Sequence, residues 1–133
     1  LRPTAERIAA TRAQCLDFLR LRRSTPLLAL GSAELIRERV SFPFTGDPGV
    51  IVMVIDDGAG PGDLDPTLDG LAVVINARAG EAVVRPEAMT GRRFHLGPIQ
   101  AQGADEVVKG TVFDPATGEL RVPGRTVAVL VEP

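Results

Sequence analysis

The sixteen residues from Ile55 to Gly70, IDDGAGPGDLDPTLDG, hold five aspartates, Asp56, Asp57, Asp63, Asp65 and Asp69, and no basic side chain. Aspartates at this density suit three roles: hard oxygen ligands for a divalent cation, a carboxylate pair for acid and nucleophilic chemistry, or a hydrated connection between two strands. The nearest metal template begins at Asp65, where Asp65, Thr67, Asp69 and Gly70 imitate positions one, three, five and six of an EF-hand loop. Position twelve, which requires a bidentate Glu, is Asn76, and the intervening LAVVI is a strand-forming run. A looser calcium site using Asp63, Asp65 and Asp69 with backbone carbonyls is the alternative left open. Glycosidic hydrolysis needs two carboxylates held about 5 Å apart for retention, or up to roughly 9 Å for inversion. The aspartates here sit among Gly58, Gly60, Pro61 and Gly62, which give no such rigidity. No catalytic residue, metal ligand or cofactor is therefore assigned, and the favoured reading is a loop whose Gly and Pro make turns while its acids keep it hydrated.

The remaining chemistry-bearing residues are sparse. Cys15 is the lone cysteine, so an intrachain disulfide is excluded, and it reads as a small apolar residue on a buried helix face. His95 is the lone histidine, set between Phe94 and Leu96 in a strand, with no nearby partner for a triad or a zinc site. GAGPG at 58–62 follows a strand, but neither a Lys nor a helix follows it, which argues against a phosphate loop. Eight arginines crowd the first 39 residues, yet Phe18 is the single aromatic among them, which gives no series of platforms for base stacking, and nucleic acid is not an expected partner. There is no Trp and no Tyr, the usual platforms for a pyranose face, so only weak polar contact with a glucan stays open. No apolar run approaches the roughly eighteen residues of a membrane span, and a membrane is not an expected partner either. The start at Leu1, with no signal-peptide core, suggests a cut made in a longer chain.

The elements that would position these residues follow from periodicity. TAERIAATRAQCLDFLRLRRS reads as one amphipathic helix, capped by Thr4, with Glu6 in its first turn and Arg20, Arg22 and Arg23 in its last. Ile8, Cys15, Leu16, Phe18 and Leu19 form its apolar side, which needs something to lie against. Pro26 stops it. Ser32 can cap a short helix over SAELIRER. From Val40 the chain reads as eight short strands: 40–44, 50–55, 71–76, 81–84, 93–96, 110–113, 119–122 and 126–131. VIVMVI and LAVVIN are apolar enough for central strands buried on both faces, Pro43 and Pro86 mark edges or breaks, and the five Phe residues are expected in the core. The fold class is mainly β, an antiparallel sandwich of about eight short strands preceded by one amphipathic helix. With 133 residues and 44% hydrophobic content it is one domain-sized unit, and its formal charge of -2 gives no general attraction to phosphate.

Four stretches carry a family resemblance: LDFLRLRRSTPLLALGSAELIRERVSF, GVIVMVIDDG, DLDPTLDGLAVVINA and FDPATGELRVPGRTVAVLVE. In this order they resemble the C-terminal region of pullulanase-type starch-debranching enzymes, glycoside hydrolases of the α-amylase superfamily. The resemblance implies an upstream (β/α)8 barrel, in the same polypeptide, that hydrolyses α-1,6-glucosidic bonds in pullulan, starch or glycogen with retention. It implies that residues 1–24 correspond to the closing helix of that barrel and residues 25–133 to a noncatalytic C-terminal β-sandwich that stabilises it and borders the glucan path. The catalytic aspartate and glutamate of the family lie on the barrel, so none is carried onto this chain, which alone is not expected to be an enzyme. Family members are often exported, but the residues themselves fix no compartment.

Overall fold

The computed structural model describes residues 2–44 and 46–133, with the backbone but not the side chain of Phe44, so the expected core position of Phe44 lies outside the described residues. Helix α1 (Ala5–Ser24) begins where Thr4 turns extended and its hydroxyl accepts the Arg7 N–H at 3.3 Å. It ends before Thr25, because Pro26 has no N–H to continue the ladder and instead opens a 3-10 turn over Pro26–Ala29. Helix α2 (Ala33–Arg39) is capped by Ser32, whose hydroxyl accepts the Leu35 N–H at 3.2 Å.

Eight strands follow: β1 (Val40–Phe44), β2 (Val50–Asp56), β3 (Gly70–Asn76), β4 (Ala82–Val84), β5 (His95–Leu96), β6 (Val112–Asp114), β7 (Glu119–Val122) and β8 (Thr126–Glu132). They form a five-stranded sheet in the order β1-β2-β3-β8-β5 and a three-stranded sheet in the order β4-β7-β6, with every pairing antiparallel. This is the expected mainly β, helix-led sandwich. Pro43 lies in edge strand β1, and Pro86 follows edge strand β4, where a missing N–H breaks no central ladder. The β6–β7 hairpin turns at Gly118, φ 68°, with the Asp114 carboxylate accepting from the Ala116 N–H at 3.0 Å and the Thr117 hydroxyl at 2.7 Å.

Period-two alternation sends one set of side chains between the sheets. Val50, Val52, Val54, Ala72, Val74 and Leu130 meet Ala82, Val84, Leu120 and Val122 there, closed off by Met89, Phe94 and Val108. Phe94 and Phe113 meet edge to face, with ring centroids 6.0 Å apart. A second, smaller cluster lies on the outer face of the five-stranded sheet, where Leu27 covers Ile55 and Leu71 with Leu64 and Leu68 alongside. A short helix, α3 (Pro98–Ala101), closes the part of β8 that the two-residue strand β5 leaves unpaired. The Gln100 side chain accepts the Val129 N–H at 2.7 Å and donates to the Val127 carbonyl at 2.8 Å, and the Gly97 N–H bonds the Val129 carbonyl at 2.8 Å. At the opposite end Asn76, 1% exposed, donates to the Gly80, Val122 and Pro123 carbonyls at 3.0 Å and accepts the Arg78 N–H, tying the two sheets together.

Several expectations require correction. Strands β2 and β3 are not buried on both faces: Ile51 is 49% and Ile75 37% exposed, because the covering layer of 3-10 turn and loop reaches only one end of the sheet. Phe42 is 59% and Phe18 48% exposed, so neither is a core residue. Cys15 is exposed rather than on a buried helix face. The reason is the orientation of α1, which turns Leu21 and Asp17 to the sandwich. The Asp17 carboxylate accepts the Ala104 N–H at 2.8 Å, an approach that leaves no room for a side chain at Gly103. At 100° per residue, Ile8, Cys15 and Leu19 then point the other way, into solvent.

Candidate functional site: the aspartate loop

The loop between β2 and β3 is organised around a buried arginine. Arg39, the last residue of α2, is 1% exposed, and its guanidinium meets the Asp57 carboxylate at 2.5 Å. It also donates to the Asp57 carbonyl, to the Pro61 carbonyl at 3.1 Å and to the Gly62 carbonyl at 2.6 Å. Asp57, 5% exposed, accepts in turn from the Leu64 N–H at 3.0 Å and the Asp65 N–H at 2.8 Å. One guanidinium and one carboxylate thus hold both halves of the loop, and each is desolvated only because the other is present.

The neighbouring acids have comparable tasks. Asp65 accepts the Thr67 N–H at 3.1 Å and the Thr67 hydroxyl at 2.6 Å, and the Thr25 hydroxyl beyond α1 donates to it as well. Burial alone would raise its carboxyl, but these three bonds to the ionised form hold it below the ordinary range. Asp56 accepts the Gly58 N–H at 3.0 Å and pairs with Arg92 at 3.1 Å. Arg92 also pairs with Glu132 at 2.5 Å and lies 4.8 Å from the centre of the Phe94 ring, joining the ends of β2 and β8. Asp69 ties the loop to the sheet through its backbone, its N–H bonding the Glu132 carbonyl and its carbonyl accepting the Asp57 N–H. The Asp63 and Asp69 side chains are exposed.

The calcium alternative needed Asp63, Asp65 and Asp69 in one coordination sphere. All three line one open pocket of the loop, but among the described residues no group of three His, Cys, Asp or Glu stands close enough to share an ion. The Asp65 carboxylate is already taken up by hydroxyl and amide donors. His95 is exposed in β5 and lines an apolar groove of about 300 Å³ that Leu21 of α1, Leu71 of β3, Pro98 and Val131 of β8 enclose. Sequence reasoning missed Arg39, which is indistinguishable in type from the other arginines of the first 39 residues. The available signal is its place between a helix and a strand, opposite an acidic loop with no cation of its own. Asn76 was weighed only as a failed calcium ligand, and its buried bridging role has no local signature.

The class of protein defined here is a helix-led antiparallel β-sandwich module whose acidic loop is folded onto its own backbone. The chain belongs to the family described as the C-terminal region of pullulanase-type alpha-1,6-glucosidases, whose model matches residues 1–133. It is 41% identical over 138 residues to the chloroplastic Pullulanase 1 of Arabidopsis thaliana, covering 98% of this chain and 14% of that protein. It is 36% identical to the pullulanase of Klebsiella pneumoniae, covering 88% of this chain and 11% of that one. The crystal structure of PulA from Klebsiella oxytoca superposes with a TM-score of 0.87 at 31% identity, over 98% of this chain and 13% of that chain. The chain therefore spans only a small part of the relatives it matches.

Proposed function

We propose that this chain is the noncatalytic C-terminal domain of a debranching glycoside hydrolase that cleaves α-1,6-glucosidic bonds in pullulan, starch or glycogen. In this reading residues 1–24 are the closing helix of an upstream (β/α)8 barrel, and residues 25–133 are the sandwich that braces it. The observation that carries the reading is the fate of the loop carboxylates: Asp57 and Asp65 are engaged by the loop's own donors, and Asp56 by Arg92, in a chain that matches the C-terminal family along its whole length. The outward stripe Ile8, Cys15 and Leu19 supports the helix assignment, since an apolar side turned away from its own domain is suited to a second body. The direct test incubates the chain alone, at high concentration, with pullulan and assays new reducing ends. None are expected, while the polypeptide containing the chain and its barrel releases them. Turnover by the chain alone that disappears when one loop aspartate is changed to Asn overturns the reading.

A further inference from the structure

The charges of α1 are sorted by side. At 100° per residue, Ile8, Cys15 and Leu19 fall within about 40° of one another, with Arg22 about 20° past Cys15 and Arg12 about 20° past Leu19. Arg23 stands next to Arg12, whereas Glu6 and Asp17, the two acids of the helix, lie on the opposite side. Asp17 accepts from the sandwich backbone at Ala104 and pairs with Arg20 at 2.7 Å. Among the described residues Arg12, Arg22 and Arg23 meet no carboxylate of the chain, and all three are exposed. The outward surface of α1 is therefore an apolar strip with a guanidinium on each border.

A body that covers the strip also takes water from its borders. A guanidinium desolvated without a counterion is costly, while a carboxylate that accepts two of its N–H groups offsets the loss. We infer that the polypeptide outside residues 1–133 presents Asp or Glu side chains to Arg12 and Arg22, so that the partner of α1 is an apolar surface with acidic borders. The inference rests on the function proposed above and adds the chemistry of the partner surface. The family description puts the matched region at the C-terminal end, and the relatives are mostly made of polypeptide outside it. A body tethered to the same chain meets the helix at an effective concentration on the order of millimolar, which a free second copy would not reach. A second copy docked strip on strip also brings only further arginines to the borders, since the acids of its helix lie on the far side. An anionic membrane surface calls for a broad apolar face, and this strip is narrow and has Cys15 at its centre.

The test uses the full polypeptide with the single substitutions Arg12→Lys and Arg22→Lys, which keep the charge and supply a primary amine. A carbodiimide then joins an amine to a touching carboxylate: the activated carboxyl carbon forms an amide with the lysine Nζ, and one carboxylate oxygen leaves in the urea. Linked peptides are read by mass spectrometry after proteolysis. The native pair Lys109 and Glu106, 2.6 Å apart, reports in every sample that the reagent has acted. Lysine at 12 and at 22 should link to Asp or Glu outside residues 1–133, in a yield within about threefold of the native pair, as expected for charges at contact distance. A variant that loses cooperative unfolding is replaced by Arg23→Lys, which borders the same strip. Links confined to acids within residues 1–133, or none beside a formed Lys109–Glu106 link, overturn the inference. So do links that join nitrogen-15-labelled to unlabelled polypeptide in a mixed sample, which assign the strip to a second copy. Retention on phosphatidylserine vesicles that Arg12→Gln with Arg22→Gln abolishes overturns it in favour of a membrane. Pullulan hydrolysis by the same samples is scored separately. Its absence removes the functional reading, while the linked peptides still decide what faces the arginines.

Discussion

Because Arg39 and Asp57 are both withdrawn from solvent, joint replacement is expected to cost less than the two single replacements added together. Arg39→Leu leaves a buried carboxylate without its counterion and is expected to cost about 3–5 kcal/mol, measured as a fall in thermal and denaturant midpoints. The double change Arg39→Leu with Asp57→Leu should cost clearly less than the sum of the two single changes, and strict additivity would contradict the pairing. Asn76→Ala strands several carbonyls and one N–H at the junction of the sheets and should cost about 1–3 kcal/mol. Asp65 gives the pH dependence. Its folded carboxyl is held below its ordinary value of 3.8, so the stabilisation is complete above that value and is lost as the pH falls through it toward the lower folded one. The thermal midpoint of the native chain should accordingly drop more steeply under acid than that of Asp65→Asn.

Helix α1 separates two kinds of apolar residue that sequence spacing cannot tell apart. Leu21 is 6% exposed and Leu19 61%, although they are two positions apart in one helix. Leu21→Ala in the chain should cost about 2–5 kcal/mol, whereas Leu19→Ala should stay within about 0.5 kcal/mol, both read from equilibrium unfolding. The strands were legible because alternation and turn residues are local properties: all eight appear where VIVMVI, LAVVIN, TVAVLV and the shorter runs place them, with ends moved by one or two residues. Which side of α1 meets the sandwich, and which end of β2 and β3 is covered, depends on Leu27, Asp17 and Ala104, distant in sequence from what they contact. The same limit applies to the loop. Its acids were visible, but the guanidinium that organises them lies in another element, and charge type alone does not reveal burial.

At the scale of the molecule, apolar side chains stay exposed on α1 and on the five-stranded sheet, and the proposed function has the rest of the polypeptide cover the α1 stripe. Cys15, at the centre of the helix stripe, reports on this without any substitution. Its thiol should react readily in the chain alone and be protected in the full polypeptide, and equal reactivity in both would leave the helix without a partner. The Gln100 amide has a further consequence for the isolated chain. By satisfying one donor and one acceptor along β8 beyond the two-residue strand β5, it covers the stretch of that strand where a strand of another copy could pair. Gln100→Ala uncovers that row of backbone groups, and light scattering on warming should reveal polymers in a solution that the native residue keeps clear.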